Sequence, residues 1–125
     1  CTAVDEQYKK TCYLMQTSYA LRTVDWDYAK GFELCETEAD EGYVETCYRS
    51  MGRDISGNSH RESTKVVELC SLGDPELQKH CFQGAVKNAV FNDHGLENAN
   101  ELCRIVPERY KQDCVEARDQ AASTL

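Results

Sequence analysis

Apolar residues in this chain recur at intervals of three and four. After Asp74-Pro75, the positions Leu77, Cys81, Gly84-Ala85 and Asn88-Ala89 fall on one side at helical spacing. Trp26, Ala29, Phe32 and Leu34-Cys35 make a second apolar stripe of the same kind. Punctuation residues separate the stripes. Asp74-Pro75 reads as an N-cap with proline at the first helical position, where a missing N–H costs nothing, and Pro107 opens the last helix in the same way. Ser59 with Glu62 has the form of a capping box. Gly73 lies where a helix end calls for a left-handed residue. The pattern predicts a helix A over residues 5–22, 40–55, 75–91 and 107–121, and a helix B over 25–36, 59–71 and 93–103. Ile55 to Ser59 (ISGNS) reads as the loosest connection.

The cysteines carry the same period. Cys1, Cys35, Cys70 and Cys103 are spaced by 34, 35 and 33 residues, and Cys12, Cys47, Cys81 and Cys114 by 35, 34 and 33. Glu-Leu precedes Cys35, Cys70 and Cys103. Four residues before each second cysteine stands Tyr8, Tyr43, Leu77 or Tyr110, and directly after it Tyr13, Tyr48, Phe82 or Val115. Residues 1–125 therefore read as one domain of three repeats (1–34, 35–69, 70–102) and a half-repeat (103–125). Tyr8, Tyr19 and Tyr43 are assigned to the stacking core. Tyr13, Tyr48 and Val115 point about 100° away from the cysteine face and either pack on the next helix or line an interface.

Eight cysteines in a small chain read as a disulfide framework and an oxidising compartment: secreted, extracellular or periplasmic. Cys70 near the end of one helix and Cys81 under two turns into its antiparallel neighbour sit at similar height. That geometry allows Cys1–Cys12, Cys35–Cys47, Cys70–Cys81 and Cys103–Cys114. A second register, Cys12–Cys35, Cys47–Cys70 and Cys81–Cys103, would staple A to B within each repeat and free Cys1 and Cys114 for bonds between subunits. Both remain open on sequence. The expectation is that a leader has been removed and that Cys1 lies near a processed start, a lipid on that cysteine being the alternative. No run of about 18 apolar residues is present.

A period near 34 built from antiparallel helix pairs resembles the tetratricopeptide repeat. The segment SLGDPELQKHCFQGA (Ser71–Ala85) is similar to the related Sel1-type repeat, in which a Leu-Gly turn precedes an Asp-Pro-started helix. Cysteine-rich members of that group also staple neighbouring helices. The resemblance implies an all-α fold: a right-handed superhelical α-solenoid of about seven helices (three A/B hairpins plus a terminal helix A) with four disulfides. It further implies a protein-binding or assembly scaffold without chemistry of its own.

Charge and candidate chemistry narrow the function. With 22 acidic and 14 basic residues the chain carries −8, which disfavours nucleic acid and anionic lipid. Glu36, Glu38, Asp40, Glu41 and Glu45 could offer oxygens to calcium, but the spacing is not that of an EF-hand, and carboxylates in a first helical turn already suit the helix dipole. His60, His80 and His94 share no helical face, and His80 is expected at the surface. No nucleophile and base recur together, so no enzyme activity, cofactor or catalytic residue is expected. Two readings lead, and a third is a small-ligand or cation carrier, which predicts a closed helical cup with an apolar cavity. In the first, the repeat ends, a closing helix B at Cys1 and an uncovered helix A in VEARDQAASTL, associate head-to-tail into an extracellular filament or tube. In the second, a monomeric extracellular module holds another protein or peptide in its concave face.

Overall fold

A computed structural model describes every residue except Thr2 and His94. For Lys10, Thr11, Tyr13, Leu14, Met15, Gln16 and Tyr19 it describes the backbone only. Among the described residues there are seven α-helices, one 3-10 turn and no strands. The helices are α1 (Glu6–Thr23), α2 (Tyr28–Glu38), α3 (Val44–Asn58), α4 (Ser63–Cys70), α5 (Gln78–Asn92), α6 (Glu97–Ile105) and α7 (Lys111–Ala122). The 3-10 turn, Glu108–Tyr110, runs directly into α7 and is the element the expected count of about seven left out.

The odd-numbered helices pack in chain order, α1 on α3, α3 on α5 and α5 on α7. Each even-numbered helix packs on the two odd helices that flank it in sequence, and α4 also touches α6. The core lies between these two sets, around Phe32, Tyr48, Met51, Ile55, Val66, Phe82, Val86 and Val90, all fully buried. Phe32 and Tyr48 stack with ring centroids 4.7 Å apart, and Phe82 and Tyr110 do so at 5.5 Å.

Three of the four sulfur bridges, Cys35–Cys47, Cys70–Cys81 and Cys103–Cys114, join the last turns of an even helix to the first turns of the next odd helix, and Cys1–Cys12 joins the segment before α1 to α1 itself. Their Cα atoms are 5.7, 5.6, 5.8 and 5.5 Å apart, inside the range a disulfide requires. No cysteine is free.

Several local signals act differently from their short-range meaning. Ser59 closes α3, Glu62 rather than Ser59 precedes α4, and residues 55–58 are the last turn of α3 instead of a loose connection. Asp74 does not begin α5. Its carboxylate accepts from the Glu76 amide at 2.8 Å in a turn, and the helix starts at Gln78. Pro107 likewise precedes the 3-10 turn. Gly73 is not left-handed, since the one positive-φ glycine is Gly42. A Cβ at Gly73 would lie 2.7 Å from the Tyr48 ring, so contact explains that glycine.

Trp26 leaves the stripe predicted for it. Asp25-Trp26 and, 35 positions on, His60-Arg61 adopt left-handed backbone (φ 53°, 61°, 52° and 59°). The Trp26 amide donates to Leu21 O at 2.8 Å and the Arg61 amide to Ser56 O at 2.7 Å. The same turn is therefore built twice from unlike side chains, and it leaves Trp26 43% exposed. Ala29 is exposed as well, so the buried side of α2 is Gly31, Phe32 and Cys35.

Candidate binding groove

The sequence-selected residues scatter. Tyr48 is buried between Phe32 and Gly73; its hydroxyl donates to Glu36 Oε1 at 3.1 Å and accepts from the Asp74 amide at 2.9 Å. Burial drives its phenol pKa upward. It is a core residue, which removes it from the interface candidates. Val115 is half-buried against the core, and the side chains of Tyr13 and Tyr19 lie outside the described residues. Tyr8, assigned to the core, is 59% exposed. Tyr43 is half-buried and donates to Glu6 Oε1 at 2.7 Å, a bond that lowers the Glu6 pKa and raises that of Tyr43.

Among the carboxylates considered for a cation, Asp40 pairs with Lys9 and Glu36 holds the Tyr48 hydroxyl, whereas Glu38 and Glu41 are exposed. Glu45 lies 3.7 Å from Arg49 and 3.5 Å from His80. No group of three or more His, Cys, Asp or Glu among the described residues is placed to hold a metal ion. His80 is only 7% exposed, contrary to the surface position expected of it. α3 covers it, Gln83 bonds its Nδ1 at 3.1 Å, and desolvation lowers its pKa. His60 is exposed, and His94 lies outside the described residues.

What the fold does assemble is an open groove of 920 Å³ across α3, α5 and α7. Residues four apart share a helix face, so each helix contributes short rows. Arg49 and Arg53 come from α3, Gln83, Lys87 and Phe91 from α5, and Glu116 and Gln120 from α7. A second α5 row, Gly84, Asn88 and Asn92, lines the groove with Ser50 and Ala117. Small side chains at Ser50, Gly84 and Ala117 leave the depression open where the helices approach most closely. Phe91 is 52% exposed. Asn88 Oδ1 is buried without a hydrogen-bond partner.

Charge separates this surface from the rest of the protein. Three of the chain's 14 basic residues line it, but only one of its 22 acidic residues. Arg53 donates to Asp54 and Ser50, each at 3.2 Å, which fixes its guanidinium at the α1–α3 seam. Thr17 and Ser18 bond the same Asp54 carboxylate from α1. The Arg49–Glu45 pair is long and exposed, so a better-placed carboxylate can displace Glu45 at little cost.

No family model matches the chain, and neither a curated protein nor a solved structure is significantly similar to it. The groove itself is therefore the basis for a functional reading. It could have been sought in the sequence as i, i+4 rows of Arg, Lys and amide residues at equivalent repeat positions.

Proposed function

We propose that this protein is an extracellular, non-enzymatic repeat module, a right-handed superhelix of stacked helical hairpins, that binds an acidic protein segment in the α3–α5–α7 groove. The observation that carries this reading is the local charge balance: Arg49, Arg53 and Lys87 offset Glu116 and the adjoining Glu45 and Asp54, on a chain whose net charge is −8. The amide side chains of Gln83, Asn92 and Gln120 suit the alternating donors and acceptors of a peptide backbone. Disulfides suit the oxidising compartment. The test is titration of the oxidised protein with a glutamate-rich peptide and its glutamine counterpart. Binding of the first alone, weakened roughly tenfold by Arg49→Glu with Lys87→Glu, supports the reading. Equal binding of both peptides, or of neither, refutes it.

Head-to-tail self-association is the second reading. In its favour, Glu33, Glu36, Glu38 and Glu41 are exposed on α2 and the turn after it.

A further inference from the structure

We propose that a proton on His80 switches the groove toward acidic ligands by drawing Glu45 away from Arg49. The inference rests on the groove being a binding site for acidic segments, and it names how that site is regulated.

His80 is buried, and each of its ring nitrogens meets a groove residue or the partner of one. Gln83, which lines the groove, accepts from Nδ1 through Oε1 at 3.1 Å. An amide oxygen can only accept, so Nδ1 carries the hydrogen of the neutral ring and Nε2 the lone pair. Nε2 lies 3.5 Å from Glu45 Oε1, which places two acceptors together while the ring is neutral. The other oxygen of the same carboxylate, Oε2, lies 3.7 Å from Arg49 Nη2, and Arg49 lines the groove. One carboxylate is thus shared between a buried imidazole and a groove cation.

A proton at Nε2 turns the two-acceptor contact into a charge-assisted hydrogen bond and gives Glu45 a second cation to hold. Arg49 is then released to a ligand carboxylate. Burial disfavours the charged ring, so the switch operates below the ordinary imidazole range. Gln83 and Glu45 favour the proton, whereas Arg49 and Lys79 oppose it. All four belong to α3 and α5; α4, α6 and α7, which also pack on α5, supply none of them. Because Arg49 opposes the proton, a ligand that neutralises Arg49 raises the proton affinity of His80 in return. An exposed pair such as Glu45–Arg49 is weak, so releasing it changes affinity about two- to fivefold.

The experiment is titration of the oxidised full chain with a glutamate-rich peptide at about pH 7.5 and about pH 5, with circular dichroism confirming that each variant is folded. Glutamate side chains, with an ordinary pKa of about 4.3, begin to lose charge toward the lower pH, so a gain on acidification cannot come from the peptide. The wild type is expected to bind about two- to fivefold more tightly at the lower pH. His80→Gln should lose that gain. Glu45→Gln should bind at the higher pH as tightly as the wild type does at the lower, with little further change. In the wild type, saturating peptide should move the NMR titration of the His80 imidazole to higher pH, a readout that needs no variant to fold. Peptide binding that does not tighten on acidification, an unmoved His80 titration, or a gain that survives in His80→Gln or Glu45→Gln overturns the switch and leaves the groove reading intact. No binding at either pH overturns both.

Discussion

Gly52 of α3 and Gly84 of α5 each lie against the backbone of the opposite helix. A Cβ on Gly52 would sit 1.9 Å from the carbonyl oxygen of Cys81, and one on Gly84 would sit 1.9 Å from that of Arg49. The obstacle in both cases is backbone, which cannot rotate away. Gly84→Ala is therefore expected to destabilise the protein by about 1–3 kcal/mol through overpacking, despite the gain in helix propensity. Gly57, also in α3, has nothing within 4 Å, and Gly57→Ala should stabilise by about 0.5–1 kcal/mol. Thermal melts of the two variants should shift in opposite directions. If both shift upward, the close crossing is wrong.

Tyr43 and Tyr110 occupy equivalent repeat positions, and each hydroxyl reaches back to the start of the preceding odd-helix segment. Tyr43 meets the Glu6 carboxylate at 2.7 Å, and Tyr110 meets the carbonyl of Pro75 at 2.5 Å. Only Tyr110 is buried (5% exposed), and its bond is part-buried where that of Tyr43 is exposed, so removing its hydroxyl costs more. Denaturant titration of Tyr110→Phe should show a loss of about 1 kcal/mol, and Tyr43→Phe distinctly less. The third equivalent position, Leu77, has no hydroxyl to offer.

Each disulfide closes a loop of 11 or 12 residues. Loop entropy for that length is worth about 3 kcal/mol per bridge. Replacing Cys70 and Cys81 together with Ala should lower stability by that order, since both are fully buried and Ala leaves no unpaired polar group. Four such contributions are comparable to the whole stability of a typical domain, about 5–15 kcal/mol. Full reduction should therefore abolish the cooperative melt, which calorimetry with and without a reductant would establish.

His80 gives stability a pH dependence of definite sign. Burial lowers its pKa in the folded state, with Glu45 and Arg49 of α3 and Lys79 and Gln83 of α5 as its charged and polar neighbours. The unfolded chain then binds a proton more readily than the folded one. Its contribution is complete above the ordinary imidazole pKa of about 6.5 and is lost as pH falls from there toward the lower folded value. Between about pH 7 and 5.5, His80→Gln should flatten the fall in stability seen in the wild type. Identical slopes would show that other groups account for it.

Much of the helical layout is legible before any coordinates. Eight regularly spaced cysteines and the i, i+4 stripes through Leu77, Cys81, Ala85 and Ala89 place the helices to within a few residues, because those signals act within one or two turns. Boundaries slipped where a local signal had a non-local purpose. Gly73 reads as a helix terminator and instead makes room for Tyr48, while Trp26 reads as part of a stripe and instead sits in a left-handed turn. His80 beside a cysteine looks superficial until α3 is laid over it. The groove was legible only as separate i, i+4 rows, not as one surface. Its rows come from three helices about 35 residues apart, and each row alone is an ordinary polar helix face.

The sequence by itself determined an all-helical chain with a period near 34 and a cysteine at each recurrent turn, since spacing, turn chemistry and helix periodicity are short-range properties. Only the tertiary structure decided which faces met. The crossing at Gly52 and Gly84, the burial of Tyr48 and His80, and the gathering of Arg49, Arg53 and Lys87 on one open surface depend on how rigid helices settle against each other. A shift of an ångström there changes which atoms touch, and no spacing of residues along the chain encodes it.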